Sequence, residues 1–330
     1  MTVLWFLLYL ALAAVALAIA YVLYLVIATQ RIARKAERTV PPTGKFVEIG
    51  GNRLHYVEAG EGRPILFLHG LGAQLHQFRQ PLFAALSPDY RLIAVDRPGS
   101  GYSTRAPGAT GRLNEQADVI ASFIEALGLE KPLVVGHSLG GAVALALALM
   151  RPDLISGLAL LSPLTQAYET VPPAFQPLYI RSRIKRMILA HTVAVPTAQK
   201  YAQQTLAFIF GPQSVPADYM TEGGGMIGLR PSHFYATCTD FVAMEQDLRE
   251  IQKRYGEISM PAGLMFGTAD QVLDPQTQGL SMRGRIDGLE IEMVESMGHM
   301  PQYAETGRVI AFIRRIADKA FALAPGGALL

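Results

Sequence analysis

The stretch Val134-Val135-Gly136-His137-Ser138-Leu139-Gly140-Gly141 constrains this chain more tightly than any other. An apolar run over 132–135 reads as a buried strand, the pattern Gly-x-Ser-x-Gly follows, and the Ala/Leu-rich segment from Ala142 to Met150 has helical composition. A strand that turns sharply into a helix at such a pattern is a nucleophile elbow. The turn forces the serine into a strained backbone conformation that pushes Oγ clear of the sheet, and the flanking positions 136 and 140 must be small for strand and helix to approach. Taken alone, Gly-x-Ser-x-Gly is a modest signal, with a plain strand-to-helix turn as the lesser alternative. Its context decides.

Strands and helices alternate on both sides of the elbow. Lys45 to Ile49 and Arg53 to Glu58 form a hairpin around Gly50-Gly51-Asn52. Buried strands of the parallel-sheet kind are expected at Pro64-Ile65-Leu66-Phe67-Leu68, at Arg91 to Val95 and at Leu158 to Leu161. An amphipathic helix over Leu113 to Leu127, closed by Gly128, leads into the elbow strand. From Leu164 to Ile258 the rhythm changes to helices punctuated by proline and glycine. It resumes at Pro261 to Gly267, continues with a strand at Leu289 to Val294, and ends in a helix from Thr306 to Leu323. The expectation is a doubly wound, mostly parallel α/β sheet over 45–163 and 259–324, with a helical cap over 164–258 and a frayed tail over 325–330 that includes Pro325-Gly326-Gly327.

The N-terminus is a different kind of sequence. Val3 to Ala28 is a run of about 26 residues without a charge, longer than the ~20 that span a bilayer. Trp5, Tyr9, Tyr21 and Tyr24 lie towards its two ends, where amphipathic rings favour the interface. A cleavable signal peptide is the rival reading, since Ala18-Ile19-Ala20 looks like a cleavage site; the lack of a basic n-region and the continuation of the apolar run argue for an anchor over residues 1–30. Arg31, Arg34, Lys35 and Arg38 follow at once and, by the positive-inside rule, put the body of the protein in the cytoplasm. Residues 31–44 form this basic segment and a stiff linker, Thr39-Val40-Pro41-Pro42-Thr43-Gly44. A net charge of +2 argues against nucleic acid as a partner, the single Cys238 excludes an internal disulfide, and no Cys/His cluster has metal-ligand spacing.

A serine hydroxyl is a poor nucleophile until a base takes its proton, and the base needs a carboxylate to orient it. Gly267-Thr268-Ala269-Asp270 supplies a carboxylate after one strand, and Gly298-His299-Met300 supplies a histidine after the last. The order Ser138…Asp270…His299 is the one expected for successive loops at the C-terminal edge of such a sheet. Asp274 competes for the acid role, although Pro275 after it favours a turn. The oxyanion donors are expected to be the backbone N–H of Leu139 and that of Leu71, within His69-Gly70-Leu71-Gly72; His69 itself is read as a brace for this loop.

From Lys45 to Leu323 the chain resembles the α/β-hydrolase fold family. The resemblance rests on His69-Gly70, on Asp96-x-Pro98-Gly99-x-Gly101-x-Ser103, on Gly136-His137-Ser138-Leu139-Gly140-Gly141, on Gly267-x-x-Asp270 and on Gly298-His299. Serine at 138 sets it apart from the epoxide hydrolase and haloalkane dehalogenase branches, which carry aspartate there. Asp270-Gln271-Val272-Leu273-Asp274, together with the N-terminal anchor, resembles membrane-anchored monoacylglycerol lipases. That similarity implies a serine hydrolase acting on lipid or small carboxylic esters without a cofactor. A carbon–carbon bond hydrolase, a cofactor-free perhydrolase and a non-catalytic ligand receptor are the rivals. In the cap, Ile180, Ile184, Met187 and Ile188 recur at helical spacing among Arg181, Arg183, Lys185 and Arg186, either a solvated helix over the pocket or one that lies on anionic lipid.

Overall fold

The computed structural model describes residues 2–322. Leu323 and the tail expected to fray lie outside the described residues. The first element is a helix, α1 (Thr2–Thr39), in which the apolar run and the basic segment are continuous. No glycine or proline interrupts the sequence before Pro41, so nothing ends the helix where the apolar run stops. The helix therefore runs on through the basic segment as far as Thr39. Among the described residues one helix is long and apolar enough to cross a membrane, and its most apolar window is unburied. Beyond that window a stripe at helical spacing, Leu25, Thr29, Ala33, Ala36 and Val40, is buried against the rest of the protein, while Arg31, Arg34, Lys35 and Arg38 all point outward.

The rest folds as anticipated around one eight-stranded sheet. In chain order its elements are β1 (Lys45–Ile49), β2 (Asn52–Ala59), β3 (Pro64–Leu68), α2 (His76–Leu86), β4 (Arg91–Val95), α3 (Leu113–Ala126), β5 (Leu133–His137), α4 (Leu139–Met150) and β6 (Gly157–Leu161). The cap contributes α5 (Arg183–His191), α6 (Ala194–Phe210) and α7 (Pro231–Ile251). The core then closes with β7 (Ala262–Gly267), α8 (Pro275–Gln278), β8 (Glu290–Val294), α9 (Pro301–Ala304) and α10 (Thr306–Ala322). The strand order is β1-β2-β4-β3-β5-β6-β7-β8. β1 and β2 form the hairpin, β2 pairs antiparallel with β4, and every other pairing is parallel. Strands β3, β5, β6 and β7 are buried along their whole length, which is why their sequences are apolar runs rather than alternations. Residues of α3 and α4 pack on one face of the sheet and those of α2 and α10 on the other.

Helix α2 has no counterpart among the expected elements. Its internal Pro81 and polar first turn read as a breaker, yet Phe78, Leu82, Phe83 and Leu86 bury a face against the sheet, so packing outweighs local propensity. The cap helix begins at Arg183, with the Ser182 hydroxyl accepting from the Lys185 amide; Ile180 and Arg181 precede it. Arg186, expected on a charged outer face, is instead buried.

Candidate active site

Ser138 occupies the sharpest turn between β5 and α4, with φ 52° and ψ −121°. A left-handed φ on a non-glycine residue costs on the order of 1–3 kcal/mol, and it persists because strand and helix on either side are locked into the core. The neighbours leave no room for side chains. A Cβ on Gly140 would lie 2.0 Å from the Leu68 carbonyl oxygen, and one on Gly136 would lie 2.7 Å from the Gly141 Cα. The two glycines flanking the serine are thus dictated by the close approach of α4 to β3 and β5.

The loop after β3 runs directly against the elbow. A Cβ on Gly70 would sit 3.1 Å from Ser138 Cβ and 2.9 Å from His137 Nδ1. Leu139 is the first residue of α4, so its amide has no acceptor within the helix. Leu71, Leu139 and Ser138 all line one cavity, together with His299. His69 is fully buried and braces this loop as expected. Its Nε2 accepts from the Arg97 amide at 2.9 Å, while Arg97 Nε donates to the His69 carbonyl and Nη2 to the Gly70 carbonyl. Burial lowers the His69 pKa to about 3, so the ring stays neutral.

Asp270 and His299 come together across loops that follow β7 and β8. Asp270 Oδ2 lies 2.7 Å from His299 Nδ1, and Oδ1 accepts from the amides of Val272 and Leu273 at 2.8 and 2.9 Å. Asp274 does something else: it caps α8, accepting from the Thr277 amide at 2.7 Å. One residue that the sequence reading passed over is His137. Its Nε2 donates to the His299 carbonyl at 2.8 Å and its Nδ1 accepts from Gln77 Nε2 at 2.6 Å, a bond pattern that requires a neutral ring. Burial, and then the neighbouring His299, hold its pKa well below the ordinary value. The loop carrying His299 is thereby tied to the elbow through the residue beside the serine. Its place as the variable residue of Gly-x-Ser-x-Gly was the available signal.

The cavity holds about 310 Å³, at the small end of small-molecule sites. The cap supplies most of its wall, with Phe175, Leu178, Phe208, Ile209, Phe241 and Met244. Among the described residues no Lys or Arg lines it; its titratable side chains are His137, His233 and His299, with the phenols of Tyr168 and Tyr219.

A model of the alpha/beta hydrolase fold matches residues 63–306. The chain belongs to the α/β-hydrolase fold family. It is a hydrolase by fold and by its relatives. One relative, the 2-hydroxy-6-oxononadienedioate/2-hydroxy-6-oxononatrienedioate hydrolase of Burkholderia vietnamiensis, is 27% identical over 84% of this chain and 98% of its own length. Among solved structures, the meta-cleavage product hydrolase of Pseudomonas fluorescens IP01 superposes with a TM-score of 0.67 at 21% identity, covering 84% of this chain and 98% of its own. A membrane phospholipase A, described as a bacterial virulence factor, superposes with a TM-score of 0.68 at 22% identity. That match covers 97% of this chain and 99% of the phospholipase. The chain therefore shares its fold with a hydrolase that covers 84% of it and with a protein that matches it nearly end to end.

Proposed function

We propose that this α/β-hydrolase is a membrane-anchored serine hydrolase that cleaves carboxylic esters of lipid-like, monoacylglycerol-type substrates. The observation that carries it is an apolar cavity, free of Lys and Arg, in which Ser138 and His299 lie beneath a cap packed against the long apolar helix. In this reading His299 keeps its Nδ1 proton on Asp270 and uses Nε2 to take the proton of Ser138. Ser138 Oγ attacks the ester carbonyl, and the Leu71 and Leu139 amides hold the oxyanion. The alcohol leaves with the proton from His299, and water activated by the same ring releases the acyl group. No cofactor enters the scheme. In this reading helix α1 is the anchor, and the basic residues that face outward along it support a catalytic body on the cytoplasmic side.

A carbon–carbon bond hydrolase is the second reading, favoured by the Burkholderia relative that aligns over 98% of its length. That relative's named substrate is a dioate, a dicarboxylate, and a buried carboxylate needs a cationic or polar partner. The absence of Lys and Arg from the cavity lining supports the neutral ester. The test is fatty acid release from monoacylglycerols, beside hydrolysis of p-nitrophenyl esters, by detergent-solubilised protein and its Ser138→Ala variant. Serine-dependent turnover favouring the long acyl chain is expected. Turnover of ring-cleavage dioates with none of either ester would reverse the ranking.

A further inference from the structure

A second concavity lies on the outside of the cap, between α5, α7 and the loop after β4, with a volume of about 580 Å³. Arg105, Arg112, Arg181, Arg183 and Arg186 line it beside Tyr235, and no carboxylate does. The acidic groups of this region are already committed behind the wall. Asp240 is shared between Arg97 and Arg105, Asp247 holds Arg112, and Glu115 accepts from the amides of Thr110 and Gly111. Arg181, Arg183 and Arg186 have no carboxylate partner among the described residues.

Arg186 makes the cleft more than a charged surface. It is only 5% exposed, its guanidinium carbon stands 5.4 Å from the centre of the Tyr235 ring, and one Nη reaches the Cys238 carbonyl at 3.5 Å. Among the described residues its Nε has no acceptor, nor do Nε and Nη1 of Arg105. Buried donors without acceptors are costly, and a guanidinium fork matches the oxygens of a phosphate. We propose that this cleft binds a phosphate group, carried by the headgroup of an anionic membrane lipid.

The lipid source follows from where α1 docks. Thr29, immediately after the apolar run, donates its hydroxyl to the Thr192 carbonyl at the end of α5, 2.7 Å away. The nine residues of α5 rise about 14 Å, so the cleft at Arg183 and the contact with the end of the apolar run lie at opposite ends of one short helix. On the same helix Ile184, Met187 and Ile188 are 65%, 53% and 55% exposed, an apolar face beside cations as interfacial helices have. The arginine site itself stands apart from the hydrolase reading; its supply by lipid rests on α1 being an anchor.

The experiment uses full-length protein in non-ionic detergent, with Ser138→Ala as background so that nothing is hydrolysed. Dihexanoyl phosphatidic acid, dihexanoyl phosphatidylcholine and inorganic phosphate are titrated separately by calorimetry. Phosphatidic acid is expected to bind at least tenfold more tightly than phosphatidylcholine. Arg181→Gln with Arg183→Gln, both exposed and so harmless to folding, should erase at least that factor and leave phosphatidylcholine binding unchanged. Unchanged phosphatidic acid binding in the double variant overturns the site. Inorganic phosphate binding as tightly as phosphatidic acid, with the same arginine dependence, overturns the lipid as its source. A merely adhesive apolar surface would bind both lipids equally, and that outcome also overturns the site.

Discussion

Helix α7 has two faces that do opposite things. His233, Phe234, Thr237, Phe241 and Met244, at spacings of one, three, four and three, look into the apolar cavity above Ser138. Tyr235, Thr239, Val242, Ala243 and Gln246 look into the arginine cleft. One helix thus separates a cation-free chamber from a cation-rich one. The wall between them holds because the charges nearest to it are neutralised inside: fully buried Arg97 pairs with Asp240 at 2.8 Å and with Gln116, and reaches back to the loop beside the serine. Periodicity along α7 says that both faces are covered, and only the chemistry of the opposing residues says what each covers.

The largest expected effect falls on the cavity side alone. Ser138→Ala should lower ester turnover on the order of 10⁴-fold or more while leaving the melting temperature and phosphatidic acid binding unchanged; retained turnover would mean that the nucleophile lies elsewhere. Asp270→Asn should cost on the order of 10⁴-fold by disturbing the tautomer of His299. Asp274→Asn should stay near wild type, because asparagine caps a helix as well as aspartate does. Equal losses in the two variants would break the assignment of roles.

The dividing wall is tested by stability. Arg97→Met leaves Asp240 with Arg105 alone and should destabilise the fold by about 3–5 kcal/mol, measured by chemical denaturation. A loss below about 1 kcal/mol would mean that the buried pair does not hold the wall. A pH series sharpens the same point. His69 is neutral in the fold, with a pKa lowered to about 3, whereas the unfolded chain takes up the proton near pH 6.5. Its stabilisation is complete above about pH 6.5 and is lost as pH falls towards 3, so His69 alone removes about 2 kcal/mol between pH 7 and pH 5. A melting temperature flat over that interval would contradict it. The smallest effect is expected from Arg181→Gln with Arg183→Gln on short p-nitrophenyl esters, within about twofold of wild type. A larger change would show that the two faces of α7 communicate.

Sequence alone determined the sheet, the elbow and the identity of the residues that meet around it, because each follows from local rules. Fully buried strands must be apolar along their length, Gly136 and Gly140 are the residues a strand and helix in contact allow, and Asp270 and His299 stand where successive strands end. Local rules also explain the misses. Pro81 hid α2, since burial of one face of that helix against the sheet outweighs the local signal. Which carboxylate faces His299 was open between Asp270 and Asp274 in sequence and is decided by loop geometry. The roles of His137 and Gln77, the burial of Arg186, and the gathering of arginines from positions 105 to 186 into one cleft are properties of tertiary contact. Residues about 80 positions apart share no local pattern, and only the packing of the cap onto the core brings them side by side.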